Sequence, residues 1–468
     1  MTQQEALSIL KTGANVFLTG EPGSGKTHTI REYIQYLKNH NIEPAVTAST
    51  GIAATHIGGM TVHSWSGIGI KKHLDKYELD KIVESEYIAK RVGRARILII
   101  DEVSMLSPET LSMVDAVCRG VKRTNEAFGG IQVIFVGDFF QLPPIVVVDR
   151  QASIEGRLFE EFPPIFAYQS SVWAKVKPMV SYLTEQHRQD DIDFLNVLSA
   201  IRRGRFDQDH RSHIEKRKIH PDQAPAAAPK LFSHNADVDA FNDKMLRTLA
   251  GEGRSFSMTS QGRPHILAGL KKGCLSPEVL ELKVGAAVMF TKNNNKERFF
   301  NGTLGTVIGF DRSLGYPIVK IRDGKKIIVE PMEWTVEENG KTLASISQIP
   351  LRLAWAITIH KSQGMSLDEA VMDLSAVFEF GQGYVALSRI RRLSGLYLTG
   401  LNSRAFQVHP EVLEKDLTFR SQSDQARIVF GDLSPEETET LHGDFIRACG
   451  GTKEMIKKKH NKKQSVTI

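Results

Sequence analysis

Eight consecutive residues, Gly20-Glu21-Pro22-Gly23-Ser24-Gly25-Lys26-Thr27, constrain this chain more than any others. They complete a G-x-x-x-x-G-K-[ST] pattern whose spacing has a physical reason. The glycines let successive backbone N–H groups curl round phosphates, Lys26 adds a point charge, and the Thr27 hydroxyl can ligate Mg²⁺. Gly23, Ser24, Gly25, Lys26 and Thr27 are therefore candidate nucleotide ligands. The apolar Val16-Phe17-Leu18 precede the loop as a strand, and Ile30, Tyr33, Ile34 and Leu37 follow at the i, i+3, i+4, i+7 spacing of a helix packed on a sheet. A bland glycine-rich turn lacks that strand–loop–helix context. The pattern implies binding of a nucleoside triphosphate.

Composition narrows the rest only slightly. A chain of 468 residues has room for roughly three domains with buried cores. Sixty basic residues face 54 acidic ones, for a formal charge of +6. Residues 451–468 hold six lysines and one glutamate, so most of that excess sits in the tail and a phosphate-tracking surface must be a local patch. The tail reads as a solvated end that could also touch DNA. Cys118, Cys274 and Cys449 match no metal spacing and suit a reducing compartment. No apolar run is long enough to span a bilayer, and the polar start does not read as a targeting peptide, so a cytoplasmic protein with no membrane partner is expected.

Two further apolar runs end in polar groups. Ile97-Leu98-Ile99-Ile100 stops at Asp101-Glu102, and Ile131 to Val136 leads into Gly137-Asp138-Phe139-Phe140-Gln141. Parallel strands of open α/β sheets deliver such groups to a crevice at their carboxyl ends, beside the phosphate loop. There Asp101 would hold Mg²⁺ through water, Glu102 would orient the attacking water and accept its proton, and Gln141 would hydrogen-bond a γ-phosphate or that water. An acidic pair opening a helix is the plainer reading of 101–102. Thr50-Gly51-Ile52-Ala53-Ala54 are small residues that allow close backbone approach. The stretch 58–67, with Gly58, Gly59, His63 and Trp65, reads as a loop able to grip a sugar–phosphate chain and stack a base on Trp65. Taken alone, His63 and Trp65 fit a core or loop role more readily.

Thr47 to Ala54, Gly59-Met60-Thr61-Val62-His63-Ser64, Ile100 to Met105 and Phe128 to Pro144 together resemble the motifs of Pif-type DNA helicases, in the 5′-to-3′ branch of helicase superfamily 1 and more distantly similar to RecD-like enzymes. The stretch 107–132 resembles the segment that sets this type apart. Leu183 to Gln189 with Ile201-Arg202-Arg203-Gly204, then His360-Lys361-Ser362-Gln363-Gly364-Met365-Ser366 and Gly381 to Arg389, resemble its later motifs. Ser366 stands where the family has Thr, and the hydroxyl is kept. The match extends over about 1–410.

The resemblance implies an α/β fold of two tandem RecA-like P-loop domains. The first, 1–180, carries a helical or loop insertion at about 66–95 that acts as a wedge. The second, 181–410, carries an SH3-like β-barrel at about 286–345, where short strands separated by Gly, Asn and Asp turns already suggest a small barrel; 411–468 form a basic extension. It further implies Arg188 and Arg389 as arginines reaching the phosphates from the second domain, and Gln3, with Gln4 one residue away, as the reader of adenine. Thr50, Gly51, His63 and Trp65 in the first domain and His360, Lys361, Ser362 and Gln363 in the second would bind DNA.

Phosphoryl transfer is catalysed mainly by positioning and charge neutralisation. A nucleotide bridged by two domains closes the cleft and releases it on hydrolysis, and alternating strand grips turn closure into a step. The expected function is an ATP-dependent, Mg²⁺-requiring 5′-to-3′ DNA helicase, a monomeric motor acting on single-stranded and on tailed or forked duplex DNA. The alternatives are a nucleic-acid-stimulated ATPase switch that does not separate strands, and a metabolic P-loop kinase, against which the two cleft arginines argue.

Overall fold

The computed structural model describes residues 1–452 except 70, 72, 145–164, 187–190, 226–227, 233–235, 295, 298, 300, 322, 339–340, 360–361 and 364. Helix α1 (Gln3–Lys11) starts at a reciprocal cap in which the Thr2 hydroxyl accepts from the Glu5 N–H and the Glu5 carboxylate accepts from the Thr2 N–H. Strand β1 (Val16–Gly20) and helix α2 (Lys26–Asn39) flank the phosphate loop, and Ile30, Tyr33 and Leu37 of α2 are buried on the sheet. There follow β2 (Ala45–Ala48), α3 (Gly51–Ile57), β3 (Met60–Thr61), α4 (Val62–Ser66), α5 (Lys76–Glu84), α6 (Glu86–Arg94), β4 (Ile97–Asp101), α7 (Pro108–Lys122), β5 (Gln132–Val136), α8 (Ser171–Val176) and β6 (Met179–Leu183). The six strands make one parallel sheet in the order β3-β2-β4-β5-β1-β6. Helices cover it on both sides, which is why β1 and β5 are wholly buried and, apart from Thr19 and Gln132, carry no polar side chain.

Two expectations for this part are corrected. The stretch 58–67 is not an open loop: Thr61 caps α4 by accepting from the Ser64 N–H at 3.2 Å, so hydroxyl residues that read as loop chemistry are cap chemistry. Nor does the first unit end at 180, because β6 runs beside β1 from Val16↔Met179 to Gly20↔Leu183. Within about 66–95 the helical part of the expected insertion is α5 and α6, both packed on α7.

The second unit begins with α9 (Ile192–Arg202) and α10 (Gln208–Glu215), then β7 (Lys230–Phe232) and α11 (Ala236–Thr248). An inserted region follows: β8 (Arg254–Ser257), β9 (Thr259–Gly262), α12 (Pro264–Gly273), β10 (Val279–Leu282), β11 (Ala287–Phe290), β12 (Leu304–Phe310), β13 (Pro317–Ile321), β14 (Lys326–Ile328), β15 (Met332–Glu338), β16 (Lys341–Gln348) and β17 (Leu351–Leu353). Strands β11 to β14 match the expected barrel strands and pair antiparallel in the order β14-β13-β12-β11-β17. The insertion is wider than 286–345, however, because β8, β9 and α12 precede it in sequence and pair or pack with it. The chain then returns through β18 (Ala356–Thr358), β19 (Ala370–Leu374), α13 (Gln382–Leu387) and β20 (Leu396–Leu401) to a second parallel sheet, β18-β7-β19-β20.

The segment after 410 is also corrected in part. It opens with two helices, α14 (Pro410–Gly431) and α15 (Pro435–Ala448), that turn back onto the first unit. The Ser423 hydroxyl accepts from the Tyr182 N–H at 3.0 Å, Phe419 packs on Phe17 at 5.0 Å, and Ile446 joins the core with Ala6, Ile9 and Leu10 of α1. The lysine-rich residues of the tail, 453–468, lie outside the described residues.

Candidate active site

The phosphate loop is shaped by its glycines: Gly20, Gly23 and Gly25 all have positive φ, and Gly25 caps α2 without a side chain. A Cβ on Gly25 would stand 2.1 Å from Nε2 of Gln3, and that amide donates to the Ser24 carbonyl at 3.3 Å. Gln3, rather than the exposed Gln4, thus borders the loop, held there by the cap at Thr2 and by the Glu185 carboxylate accepting from its N–H. Lys26 donates to the carbonyls of Gly20 at 2.7 Å and Glu21 at 3.1 Å, the Ser24 hydroxyl is buried with no hydrogen-bond partner among the described residues, and Thr27 is exposed. A cradle that only glycine fits, with an orphaned hydroxyl beside a lysine, suits a polyphosphate.

Asp101 ends β4 and Glu102 follows in the left-handed region at φ 51, a strained backbone for a non-glycine residue. Burial pushes both carboxyls above their usual range. The Glu102 N–H (2.9 Å), Lys26 and Arg31 pull Asp101 partway back. The Asp101 charge raises Glu102 further, and Lys26 and Arg389 oppose it. A pair whose charged form is disfavoured accommodates a cation readily, and Thr27 with Asp101 offers one hydroxyl and one carboxylate to it. Among the described residues there is no cluster of three or more His, Cys, Asp or Glu able to hold a metal.

Gln141 is 7% exposed. Its Nε2 donates to Oδ2 of Asp138 and its Oε1 accepts from Nε2 of Gln363, both at 3.3 Å. Arg389 is fully enclosed, donating to the Val385 carbonyl (2.9 Å) and the Ser388 hydroxyl (2.7 Å), and its charge is felt at Glu102. The second unit therefore contributes a positive charge whose field reaches Glu102 of the first. Arg188 lies outside the described residues; Gln186, two positions earlier, donates to the Glu21 carboxylate at 3.1 Å.

The candidate DNA contacts divide. Thr50 and His63 keep partial exposure, and burial lowers the His63 pKa. Gly51 packs backbone to backbone on Gly273 at the end of α12, where an added Cβ would be 2.8 Å away. Trp65 is corrected: at 3% exposure it belongs to the core with Val62, Ile68 and Val92, its carbonyl accepting from Arg91 at 2.9 Å, so no base can stack on it. Ser362 and Gln363 are also buried, the Ser362 hydroxyl donating to the Ile359 carbonyl. Neither reaches a strand in this arrangement. His360 and Lys361 lie outside the described residues. The barrel loop at Gly302 sits on 365–366, where a Cβ would be 2.9 Å from the Ser366 carbonyl.

Sequence reasoning gave no role to Arg202, which with Arg389 is one of the two largest fully buried side chains among the described residues. It donates to Asp138 at 2.7 Å and to the hydroxyls of Tyr182 (2.9 and 3.1 Å) and Tyr384 (3.3 Å), lies 4.2 Å over the Phe140 ring, and comes within 3.9 Å of Asp416. One guanidinium thus ties the loop after β5, α13 and α14 together. Its signal in sequence was only the Ile201-Arg202-Arg203-Gly204 run.

A "PIF1-like helicase" family model matches residues 3–212, and a "DNA helicase Pif1, 2B domain" model matches 266–310, within the inserted region. The "ATP-dependent DNA helicase Pif1" of Psychrobacter sp. is 39% identical over 97% of this chain and 76% of its own length. Vertebrate relatives at 35–37% identity are longer, and the chain spans 62–64% of them. Among solved structures, Bacteroides sp. Pif1 in complex with ADP-AlF4 superposes with a TM-score of 0.77 at 30% identity, covering 90% of this chain and 96% of that one. Bacteroides Pif1 bound to single-stranded DNA, at the same identity and coverage, superposes less well, at 0.61. With its phosphate loop, paired carboxylates and second-unit arginine on two joined parallel sheets, the chain belongs to the PIF1-like helicase family.

Proposed function

We propose that this chain is a 5′-to-3′ DNA helicase that moves along single-stranded DNA as a monomeric motor and opens tailed or forked duplexes at the expense of ATP. The observation that carries the reading is that the second unit closes on the first beside the phosphate loop, Gln363 of one donating to Gln141 of the other at 3.3 Å, with the buried Arg389 lowering the raised Glu102 carboxyl. ATP-driven helicase activity accords with the names of the relatives, and the Bacteroides complexes with a nucleotide analogue and with single-stranded DNA support both ligands. Direction, oligomeric state and Mg²⁺ rest on the family resemblance and the chemistry of the site.

Each side chain has a task in this scheme. The loop 20–27 and Gln3 bind and orient the nucleotide. Mg²⁺, held by Thr27 and through water by Asp101, would supply charge neutralisation at the phosphates. Glu102 takes the proton of the attacking water, Gln141 orients that water, and Arg389 with Arg188 stabilises the charge spread over the transferred group. Bridging by the γ-phosphate favours the closed cleft and its loss favours the open one, so strand grips near Thr50 and His63 in one unit and near His360 and Lys361 in the other alternate. The lower similarity to the strand-bound structure, together with buried Ser362 and Gln363, supports an arrangement that precedes strand binding.

Unwinding of 5′-tailed and 3′-tailed duplexes side by side tests the reading. Separation of the 5′-tailed substrate alone is expected. DNA-stimulated hydrolysis with neither substrate opened would favour an ATPase switch.

A further inference from the structure

Gln363 lies within the stretch assigned to strand binding, yet its side chain is 8% exposed and turned toward the first unit. There it meets Gln141, whose amide is held from both ends. Asp138 is a fully buried carboxylate whose oxygens accept from the Arg202 guanidinium at 2.7 Å and from the Phe140 N–H at 3.2 Å, so it faces donors. Of the two ends of the Gln141 amide, the nitrogen must therefore face Asp138, which leaves the oxygen facing Nε2 of Gln363. Released from Gln363, this amide can swing or flip. Held, it keeps one N–H and one lone pair in fixed directions, a donor for a phosphate oxygen and an acceptor for water.

We propose that Gln363 is a positioning residue of the nucleotide site, acting through Gln141, rather than a contact to the strand. This rests on the reading that Gln141 meets the γ-phosphate or its water. Gln363 is placed to do so because the backbone around it is anchored independently: the Ser362 N–H donates to the Thr358 carbonyl at 2.9 Å and the Met365 N–H to the Ser362 carbonyl at 3.0 Å. A displacement of this loop by a bound strand moves the Gln363 amide with it. The loop thus reports strand binding to the phosphate sensor by a single hydrogen bond, one that at 3.3 Å has room to shorten on closure.

The test uses the full chain, ATP and an oligothymidylate, measuring ATPase as a function of DNA concentration and ADP affinity separately. Gln363→Met keeps the volume and removes the donor. The expected result is a tenfold or greater fall in turnover at saturating DNA, with the half-saturating DNA concentration and the ADP affinity within twofold of the parent. A variant that regains full turnover at higher DNA concentration would make Gln363 a strand contact and overturn the proposal; so would parental turnover throughout, which would make it packing only. Gln141→Ala is run beside it. Should that variant turn over normally, the γ-phosphate reading of Gln141 fails; should it be impaired while Gln363→Met is normal, only the coupling proposed here fails.

Discussion

Gly381 tests how tightly the two units must meet. It caps α13, the helix that leads to Arg389, at φ 77 and ψ −15, and a Cβ there would stand 2.5 Å from the Phe140 carbonyl oxygen and 3.1 Å from that of Gln141. Both obstacles are backbone and neither can swing aside. Gly381→Ala must open the interface by most of an ångström, which takes the Gln141–Gln363 bond from 3.3 Å past hydrogen-bonding distance. The strain of alanine at positive φ is the same whether the units are open or closed, so the closed arrangement loses about 1 kcal/mol for the broken bond, a fall of roughly fivefold in its population. Gly251→Ala supplies the control, because Gly251 has φ 90 and nothing within 4 Å of an added Cβ. Steady-state ATPase at saturating ATP and DNA should fall by that factor in Gly381→Ala and stay near parental in Gly251→Ala. Turnover of Gly381→Ala within twofold of the parent, or equal losses in both, would refute the reasoning.

Other consequences follow from the same contacts. Burial raises the Glu102 carboxyl above its unfolded value, so the folded chain loses stability as pH rises from the ordinary carboxylate range through the raised one. Glu102→Gln should therefore melt higher than the parent near about pH 8, by roughly 1–3 kcal/mol, and converge with it near about pH 5, while binding ATP without cleaving it; equal melting at the higher pH would contradict this. Arg389→Ala should lower hydrolysis by about 10³-fold or more and spare single-strand affinity measured by anisotropy. Arg202→Met leaves Asp138 buried and unpaired and should destabilise by roughly 3–5 kcal/mol in denaturant titration, with Asp138→Asn recovering most of the loss. Ile446→Ala, at a site 1% exposed, should cost roughly 2–4 kcal/mol, and a loss under about 1 kcal/mol would detach α15 from the core of the first unit.

The sequence by itself determined whatever depends on neighbours along the chain. Gly20, Gly23, Gly25 and Lys26 must lie together because eight residues of backbone can curl in few ways, and Asp101 with Glu102 must end a strand because a wholly apolar run stops there. The barrel strands were legible for the same reason, each being short and bounded by turn residues. Tertiary structure decided which surfaces those pieces offer. A tryptophan among glycines and hydroxyls reads alike whether it faces a strand or a core, and only the packing of α4 against α6 puts Trp65 inside. Gln363 sits in a polar run, and only the approach of the first unit turns it from the strand toward Gln141. Helices α14 and α15 carry few long apolar stretches, yet they complete the first unit through Phe419, Ser423 and Ile446. Hydrogen bonds and burial between residues 64 to 434 positions apart leave no periodicity to read, so Asp138–Arg202 and His442–Ser8 became visible only once the chain had closed on itself.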